Sequence, residues 1–423
     1  MPITERNNNF FSWFLAGLTA MGVTVAIFLF AELMFALFFP QMDHNTFEHF
    51  QLNHAWRPHS KSTVSGWQSS NPEFKKPYVH FYNAQGWVED HDISLKKPKG
   101  IYRIFYVGDS FVEGTCPMGQ SVPSLVGQAL NERYKKTGYQ FEVINTGTVS
   151  YSPVIYYLNI KYYLLKYQPD VVVVNVDMSD DYDDWKYRQK LLYDKKGEPF
   201  AASPTNIYYQ LFIDTEKGPV KATWLRRGIL FLYQYSHLYN WLLKKFHRVD
   251  QSKEKEEEHW RSMVLRKGLV QFYPRWSWCK PEWDAQTRGN VAFTMGMLEK
   301  IIKLCQANHV KLLLSGTPYY GQFLFSGPQQ QRVWSKRPHE EIEHLAKKYN
   351  VPYLDSVAAL EPFIRNTTQD VYYYMNDPHF NPKGYALWAR AYIDTFNSPQ
   401  FKLLPEDCYQ ADLAGTGKKD AKG

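Results

Sequence analysis

The sequence predicts an α/β protein whose core is a parallel sheet covered by helices on both faces. Three observations carry that expectation. From Ile101 onward, β-rich runs alternate with runs of helical spacing. One of those runs, Val171–Val176, is almost unbroken valine, as a strand buried on both faces requires. And 44% of the 423 residues are hydrophobic and 17% aromatic, enough to fill a large core and unlike a disordered chain.

The first element precedes the sheet. Phe10 to Ala31 carries no charge, and after Glu32 the apolar run resumes from Leu33 to Phe39. At about 1.5 Å per residue the uncharged part alone matches the roughly 30 Å hydrocarbon thickness of a bilayer. Residues 1–40 therefore read as a tail and transmembrane anchor. A cleaved secretory signal is the alternative, but its apolar part is shorter and ends in small residues, whereas Leu37-Phe38-Phe39 closes this run. Arg6 and Glu5 precede the run, and Asp43 and Glu48 follow it. That charge bias leans toward an inside amino terminus, with the rest of the chain on the extracytoplasmic (periplasmic) side of the cell membrane.

Residues 41–100, rich in His, Asn, Ser, Lys and Pro, read as a connector with short extended pieces such as Tyr78–Tyr82. Residues 101–400 read as the folded domain. Its elements are a strand at Ile101–Val107, a helix at Val122–Tyr134, a strand at Phe141–Ile144, a helix at Tyr156–Tyr167 and the valine strand. After Asp184 the rhythm stops, and 185–286 reads as an insertion. Within it, Trp224–Phe246 carries Leu, Tyr and Trp at helical spacing, which suits core packing or contact with a membrane or a partner. Lys253–Glu258 is a charge run suited to solvent. The alternation resumes with Val291–Ala307 (helix), Val310–Leu314 (strand), Glu340–Tyr349 (helix), Tyr353–Leu354 (strand) and Lys383–Phe396 (helix); 401–423 reads as a fraying tail.

Charge and cysteines exclude several classes. The net +7 arises from 49 basic against 42 acidic residues, a mixed surface rather than a polycation, so nucleic acid is not expected as a partner. The four cysteines, Cys116, Cys279, Cys305 and Cys408, show no C-x-x-C pairing; they permit disulfides without requiring them, and buried apolar packing is the simplest role for each. There is no phosphate-cradling glycine loop, and His49 and His54 lack ligand spacing, so neither metal nor cofactor is expected.

Two motifs carry chemistry. Gly108-Asp109-Ser110 directly follows the first strand, where open α/β sheets place their ligand sites. Near the other end, Asp377 and His379 lie two apart in a Pro-bracketed loop before the last helix. A serine hydroxyl is a weak nucleophile: it needs a base of pKa near ambient, and a carboxylate beside that base fixes its tautomer and stabilises the imidazolium.

In combination and order these motifs resemble the SGNH, or GDSL-like, hydrolase superfamily. The resemblance implies a three-layer α/β/α flavodoxin-like sheet. Catalysis would fall to Ser110 as nucleophile, His379 as general base and Asp377 as its orienting partner. The backbone N–H groups of Ser110 and of Gly147, in Asn145-Thr146-Gly147, would be oxyanion donors. Asn381-Pro382-x-Gly384 continues the last block. The family's third block, normally Asn-Asp, is here Ser179-Asp180. Ser179 has one hydroxyl hydrogen in place of an amide, and losing an oxyanion donor costs about 2.7–4 kcal/mol. A register slip would bring Asp180 there, which needs a protonated side chain.

Anchored members of this kind act on acyl groups of extracytoplasmic glycans or related envelope substrates. The resemblance thus implies an esterase or deacetylase if water accepts the acyl group, and an O-acyltransferase if a sugar hydroxyl does. Trp185, Tyr319, Tyr320 and Gln322 are candidates for lining the substrate site. The altered third block leaves a second class open, a catalytically weak or inactive binding or assembly component with an envelope protein partner.

Overall fold

The computed structural model describes residues 3–39, 78–188, 191–202, 236–246, 274–326, 331–375 and 377–416, with isolated pieces within 47–64 and 212–232. The charge run Lys253–Glu258 lies outside them. Five parallel strands form the central sheet: β1 (Ile101–Val107), β2 (Gln140–Asn145), β3 (Val171–Val176), β4 (Lys311–Gly316) and β5 (Tyr353–Leu354). Their spatial order is β5-β4-β3-β1-β2, all parallel. This is the 2-1-3-4-5 doubly wound order, whose switch point lies between β1 and β3. All six residues of β3 are buried, which is why its sequence does not alternate.

In chain order the helices are α1 (Ile3–Phe38), α2 (Ser110–Glu113), α3 (Val122–Arg133), α4 (Pro153–Tyr162), α5 (Asp180–Arg188) and α6 (His237–Phe246). Then follow α7 (Ala285–Ala307), α8 (Arg337–Lys348), α9 (Ser356–Ile364), α10 (Pro382–Asn397) and α11 (Glu406–Thr416). Helices α3, α9 and α10 pack together on one face of the sheet, and α4, α5, α7 and α8 on the other. Among the described residues, one helix, over Phe11–Phe38, is long and apolar enough to cross a membrane.

Several boundaries move, each for a local reason. The helix expected over Tyr156–Tyr167 begins at Pro153, whose fixed φ suits a first helical position, and gives way at Leu164 to a 3-10 turn ended by Gln168 at φ 55°. Helix α7 starts at Ala285 because the Asp284 carboxylate accepts the Thr287 N–H at 2.7 Å. Helix α9, absent from the sequence reading, is capped by Asp355 and buries Val357, Leu360 and Ile364.

Two segments expected to lie apart from the domain belong to it. The end of the connector packs on the domain: Trp87 meets the Phe105 and Tyr167 rings edge-on, and the Tyr82 hydroxyl donates to Glu113 Oε1 at 2.7 Å. The chain does not fray at Phe401 either. Leu403, Leu404, Cys408 and Tyr409 are buried, and Tyr102 donates its hydroxyl hydrogen to the Leu403 carbonyl at 2.5 Å. A few apolar residues suffice to dock a segment that composition alone reads as polar. All four cysteines are buried, and none is joined in a disulfide.

The carboxylate of Asp184 joins three helices, accepting from Ser152 Oγ (2.6 Å), Val154 N (3.0 Å) and Thr294 Oγ1 (2.7 Å). Burial nevertheless pushes its pKa up to about 7, against those three hydrogen bonds. Its folded value thus exceeds its unfolded one, so its stabilising contribution is complete below the ordinary carboxylate range and is lost as pH rises through about 7. The denaturant midpoint is expected to fall between about pH 4 and about pH 7 and to level off above, and Asp184→Asn to flatten that fall. Midpoints that climb over this range, with the same slope in the variant, would refute it.

Candidate active site

Strand β1 delivers its carboxyl end to the switch point. A Cβ on Gly108 would lie 2.3 Å from Val112 Cγ2, so only glycine lets the chain fold back into α2 there. Asp109 caps α2, its Oδ1 accepting the Phe111 N–H at 3.0 Å, and this leaves Ser110 as the first helical residue, half-buried at the mouth.

The partner loop arrives from the far end of the chain. Asn381 caps α10, accepting from the N–H groups of Lys383 (3.0 Å) and Gly384 (3.1 Å), while its own N–H reaches the Tyr372 carbonyl at 3.0 Å. The Tyr374 N–H donates to the His379 carbonyl at 3.1 Å. The loop so pinned carries the buried Asp377 and His379. His379 Nε2 lies 2.7 Å from Ser110 Oγ across 269 residues of sequence. Asp377 Oδ1 takes hydrogen bonds from His379 Nδ1 and, at 2.9 Å, from the His379 N–H. With Nδ1 donating to the carboxylate, Nε2 is the atom left to accept the serine proton. The Phe111 ring packs 4.3 Å from the imidazole and limits its rotation.

The expected oxyanion donors behave differently. The Gly147 N–H is committed to Asn145 Oδ1 at 3.0 Å, and the need for glycine there is steric, since a Cβ would lie 2.3 Å from the Glu113 nitrogen. Ser179 directs both its N–H (2.8 Å) and its hydroxyl (2.5 Å) to Asp177 Oδ1. As presenters of free donors, both residues are corrected: each is held by a polar side chain of its own loop, as burial requires. Ser150 sits at φ 60° in a turn closed by the Tyr151 N–H to the Thr148 carbonyl (3.1 Å), as Gln168, His309, Asn350 and Lys402 also take positive φ. A non-glycine residue in that region is unusual outside functional or tightly built turns. Among the described hydrogen bonds, neither the Ser110 N–H nor the Ser150 N–H donates.

Behind the serine lies a buried acid pair. Burial, and then the neighbouring Asp177 carboxyl, push the Asp109 pKa well above the ordinary range. Asp177 is also raised by burial, although Ser179 and Tyr319 donate to it and Arg275 lies near. Asp177 accepts hydrogen bonds from Ser179 and Tyr319, which oppose the effect of its burial, whereas Asp109 accepts the Phe111 N–H and feels the Asp177 carboxyl beside it. Asp177 was hidden from the sequence reading at the end of the valine run. Arg275, supplied by the end of the insertion, donates to Asp183 at 2.9 Å.

The four expected lining residues separate. The Tyr319 ring lies 5.3 Å from Phe111, but its hydroxyl is turned inward to both Asp177 oxygens (2.9 and 3.1 Å), so it supports the site from beneath. Gln322 is fully buried, linking the Tyr319 N–H (3.0 Å), His339 Nε2 (3.1 Å) and the Ser335 carbonyl (3.2 Å). It is corrected from lining to scaffold, because a buried amide must satisfy both its ends. Tyr320 donates to the Thr367 carbonyl at 2.9 Å. Trp185 stays partly exposed on α5, its ring 5.5 Å from Tyr182. Among the described residues, one group, Glu89, Asp90 and His91, brings three metal-competent side chains together, and it includes no member of the serine site.

These features define a three-layer α/β/α protein with a Ser-His-Asp hydrogen-bonded chain at the sheet's switch point. No protein-family model matches the chain, and no curated protein matches it in sequence. Among solved structures, an acetylxylan esterase from Geobacillus stearothermophilus is similar at 12% identity and TM-score 0.38, covering 70% of this chain and 94% of its own. An α/β hydrolase from the metagenome of Lake Arreo, Spain, is similar at 10% identity and TM-score 0.38, covering 70% and 97%.

Proposed function

We propose that this protein is a membrane-tethered serine enzyme of the SGNH type, working on acyl esters of an extracytoplasmic glycan or related envelope substrate. The observation that carries the reading is the hydrogen-bonded chain from Ser110 Oγ through His379 to Asp377. In this reading Ser110 Oγ attacks the ester carbonyl and His379 Nε2 takes its proton. The tetrahedral intermediate collapses to an acyl-serine, and His379 returns the proton to the leaving alcohol. The Ser110 N–H, which makes none of the described hydrogen bonds, stands at the start of α2 beside the nucleophile as an oxyanion donor. Water as the second nucleophile makes an esterase or deacetylase; a sugar hydroxyl makes an O-acyltransferase. Trp185, partly exposed on α5, is a candidate for stacking a sugar. Helix α1 serves as a single-pass anchor, and no cofactor enters the reaction.

Labelling with a fluorophosphonate tests the core of this reading: an adduct is expected at Ser110, and a folded protein without one would sink it. Offering an acyl donor with and without glycan acceptors separates the two directions, transfer exceeding hydrolysis only for a transferase. A binding component is favoured by one observation, the commitment of Gly147 and Ser179 to other groups. Ser179 has its own test. Ser179→Ala is expected to cost about 1 kcal/mol of stability, from a lost hydrogen bond, with turnover little changed. A loss of about 10²-fold in turnover, the size of a missing oxyanion donor, would return Ser179 to the oxyanion hole.

A further inference from the structure

The apolar run of α1 contains one ionisable residue, Glu32, and an ionisable group inside a span is costly unless partnered. Its partner is the start of α6. Glu32 accepts from Ser236 Oγ at 2.7 Å, from the His237 N–H and from the Leu238 N–H at 3.3 Å. The carboxylate thereby meets the free N–H groups and positive dipole end of a ten-residue helix. One turn further along α1, the Phe35 and Trp241 rings meet at 5.1 Å. On α1, Ala31, Glu32, Phe35 and Ala36 are half-buried, a single stripe, while the other residues from Phe11 to Phe39 are exposed. Glu32 lies about 9 Å inside the Phe38 end of that run, at about 1.5 Å per residue, so α6 begins below the level where the apolar run ends.

The composition around α6 agrees with that depth. From Gly218 to Val249 the sequence holds Lys221, Arg226, Arg227, Lys244, Lys245 and Arg248 and no Asp or Glu. Lys245 Nζ sits 4.6 Å over the Trp241 ring. Leu242 is 36% exposed, and Trp224, at 83%, is the most exposed large hydrophobic residue described anywhere in the chain. Basic residues with exposed Trp and Leu are the signature of an element lying in the headgroup layer of an anionic bilayer.

We propose that the insertion is a second membrane element: α6, docked on α1 through Glu32 and Phe35, lies in the interfacial layer of an anionic bilayer and holds the α/β domain against it. The occupant of the exposed face is lipid, because α6 is docked on the apolar span and exposes Leu242 and Lys245 there, within a basic stretch without Asp or Glu. This inference rests on the reading of α1 as a retained span and is independent of the ester chemistry.

The test uses the full chain in vesicles of phosphatidylglycerol and phosphatidylcholine, with no turnover assay. Spin labels at Trp224→Cys and Leu242→Cys are expected to collide more with lipid-soluble oxygen than with a water-soluble nickel chelate. A label at the exposed Leu95→Cys, on the domain surface, should show the reverse. Nickel-dominated collisions at all three sites would overturn the proposal. So would labels at 224 and 242 shielded from both reagents only in native membranes, which would mean a protein partner, or a mature chain lacking residues 3–38. For the docking itself, a short thiol-reactive bridge should link Phe35→Cys to Trp241→Cys, and Glu32→Leu should cut that yield several-fold; yields unchanged by Glu32→Leu would remove the glutamate from the contact.

Discussion

Ser110→Ala is expected to lower ester turnover by about 10⁴-fold or more, the size found when one member of a Ser-His-Asp unit is removed. The expectation follows from geometry. The Ser110 hydroxyl has a base at 2.7 Å, which a buried carboxylate orients in turn. The same variant should keep its melting temperature, because Ser110 Oγ is half-buried and its close partner is His379 alone; Asp109 Oδ2 stands at 3.5 Å, the outer limit of a hydrogen bond. Loss of turnover with an unchanged melting temperature separates a chemical role from a structural one. A rate within tenfold of the parent would show that catalysis, if present, occurs elsewhere. Asp377→Asn should fall nearly as far, since an amide in place of the carboxylate favours the wrong imidazole tautomer.

Gly384→Ala is expected to damage both stability and turnover. A Cβ at Gly384 would lie 2.0 Å from the Tyr372 carbonyl oxygen and 2.4 Å from Phe380 Cδ1. That carbonyl accepts the Asn381 N–H at 3.0 Å and so closes the loop bearing Asp377 and His379. Neither neighbour can yield easily: the carbonyl is backbone, and the Phe380 ring is stacked on Tyr373 at 4.5 Å and fully buried. Overpacking of this kind costs about 1–3 kcal/mol, and a shift of about 1 Å in the loop costs about 10²-fold in rate. Melting temperature and kcat/KM measured on one sample check both halves. Parental values for both would mean that the loop does not depend on this approach. Gly147→Ala, whose Cβ would meet the Glu113 nitrogen at 2.3 Å, tests the same principle on the other side of Ser110.

The parts of the site legible in the sequence are those fixed by local chemistry. Gly108-Asp109-Ser110 could be read because a tight turn after a strand needs glycine and open α/β sheets place their sites there; that Asp109 caps α2 is seen in the folded chain. Asn381-Pro382-x-Gly384 was legible through the family resemblance; that it acts as cap, first-turn proline and close-approach glycine is seen in the folded chain. The donors were not legible. Whether an N–H faces a substrate or a neighbouring side chain depends on groups such as Asn145 and Asp177, whose orientation is set by packing. The same holds for Gln322: its place near Tyr319 suggested lining, yet full burial and a link to His339 make it scaffold.

By itself the sequence determined the layered α/β class, the five strands, the apolar first helix and the order of serine, acid and base, because hydrophobic period, turn chemistry and capping act over a few residues. Tertiary structure alone decided the convergence of Ser110 and His379 across 269 residues, with Tyr374 and Tyr385 bridging to the chain at Thr115. It also decided the seating of the Asp109–Asp177 pair beneath the serine, the return of residues 403–409 onto the domain and the contact of Glu32 with α6. Each of these joins groups far apart in the chain, and their placement follows from which buried polar atoms can be satisfied once the core has closed, a condition that only the folded chain imposes.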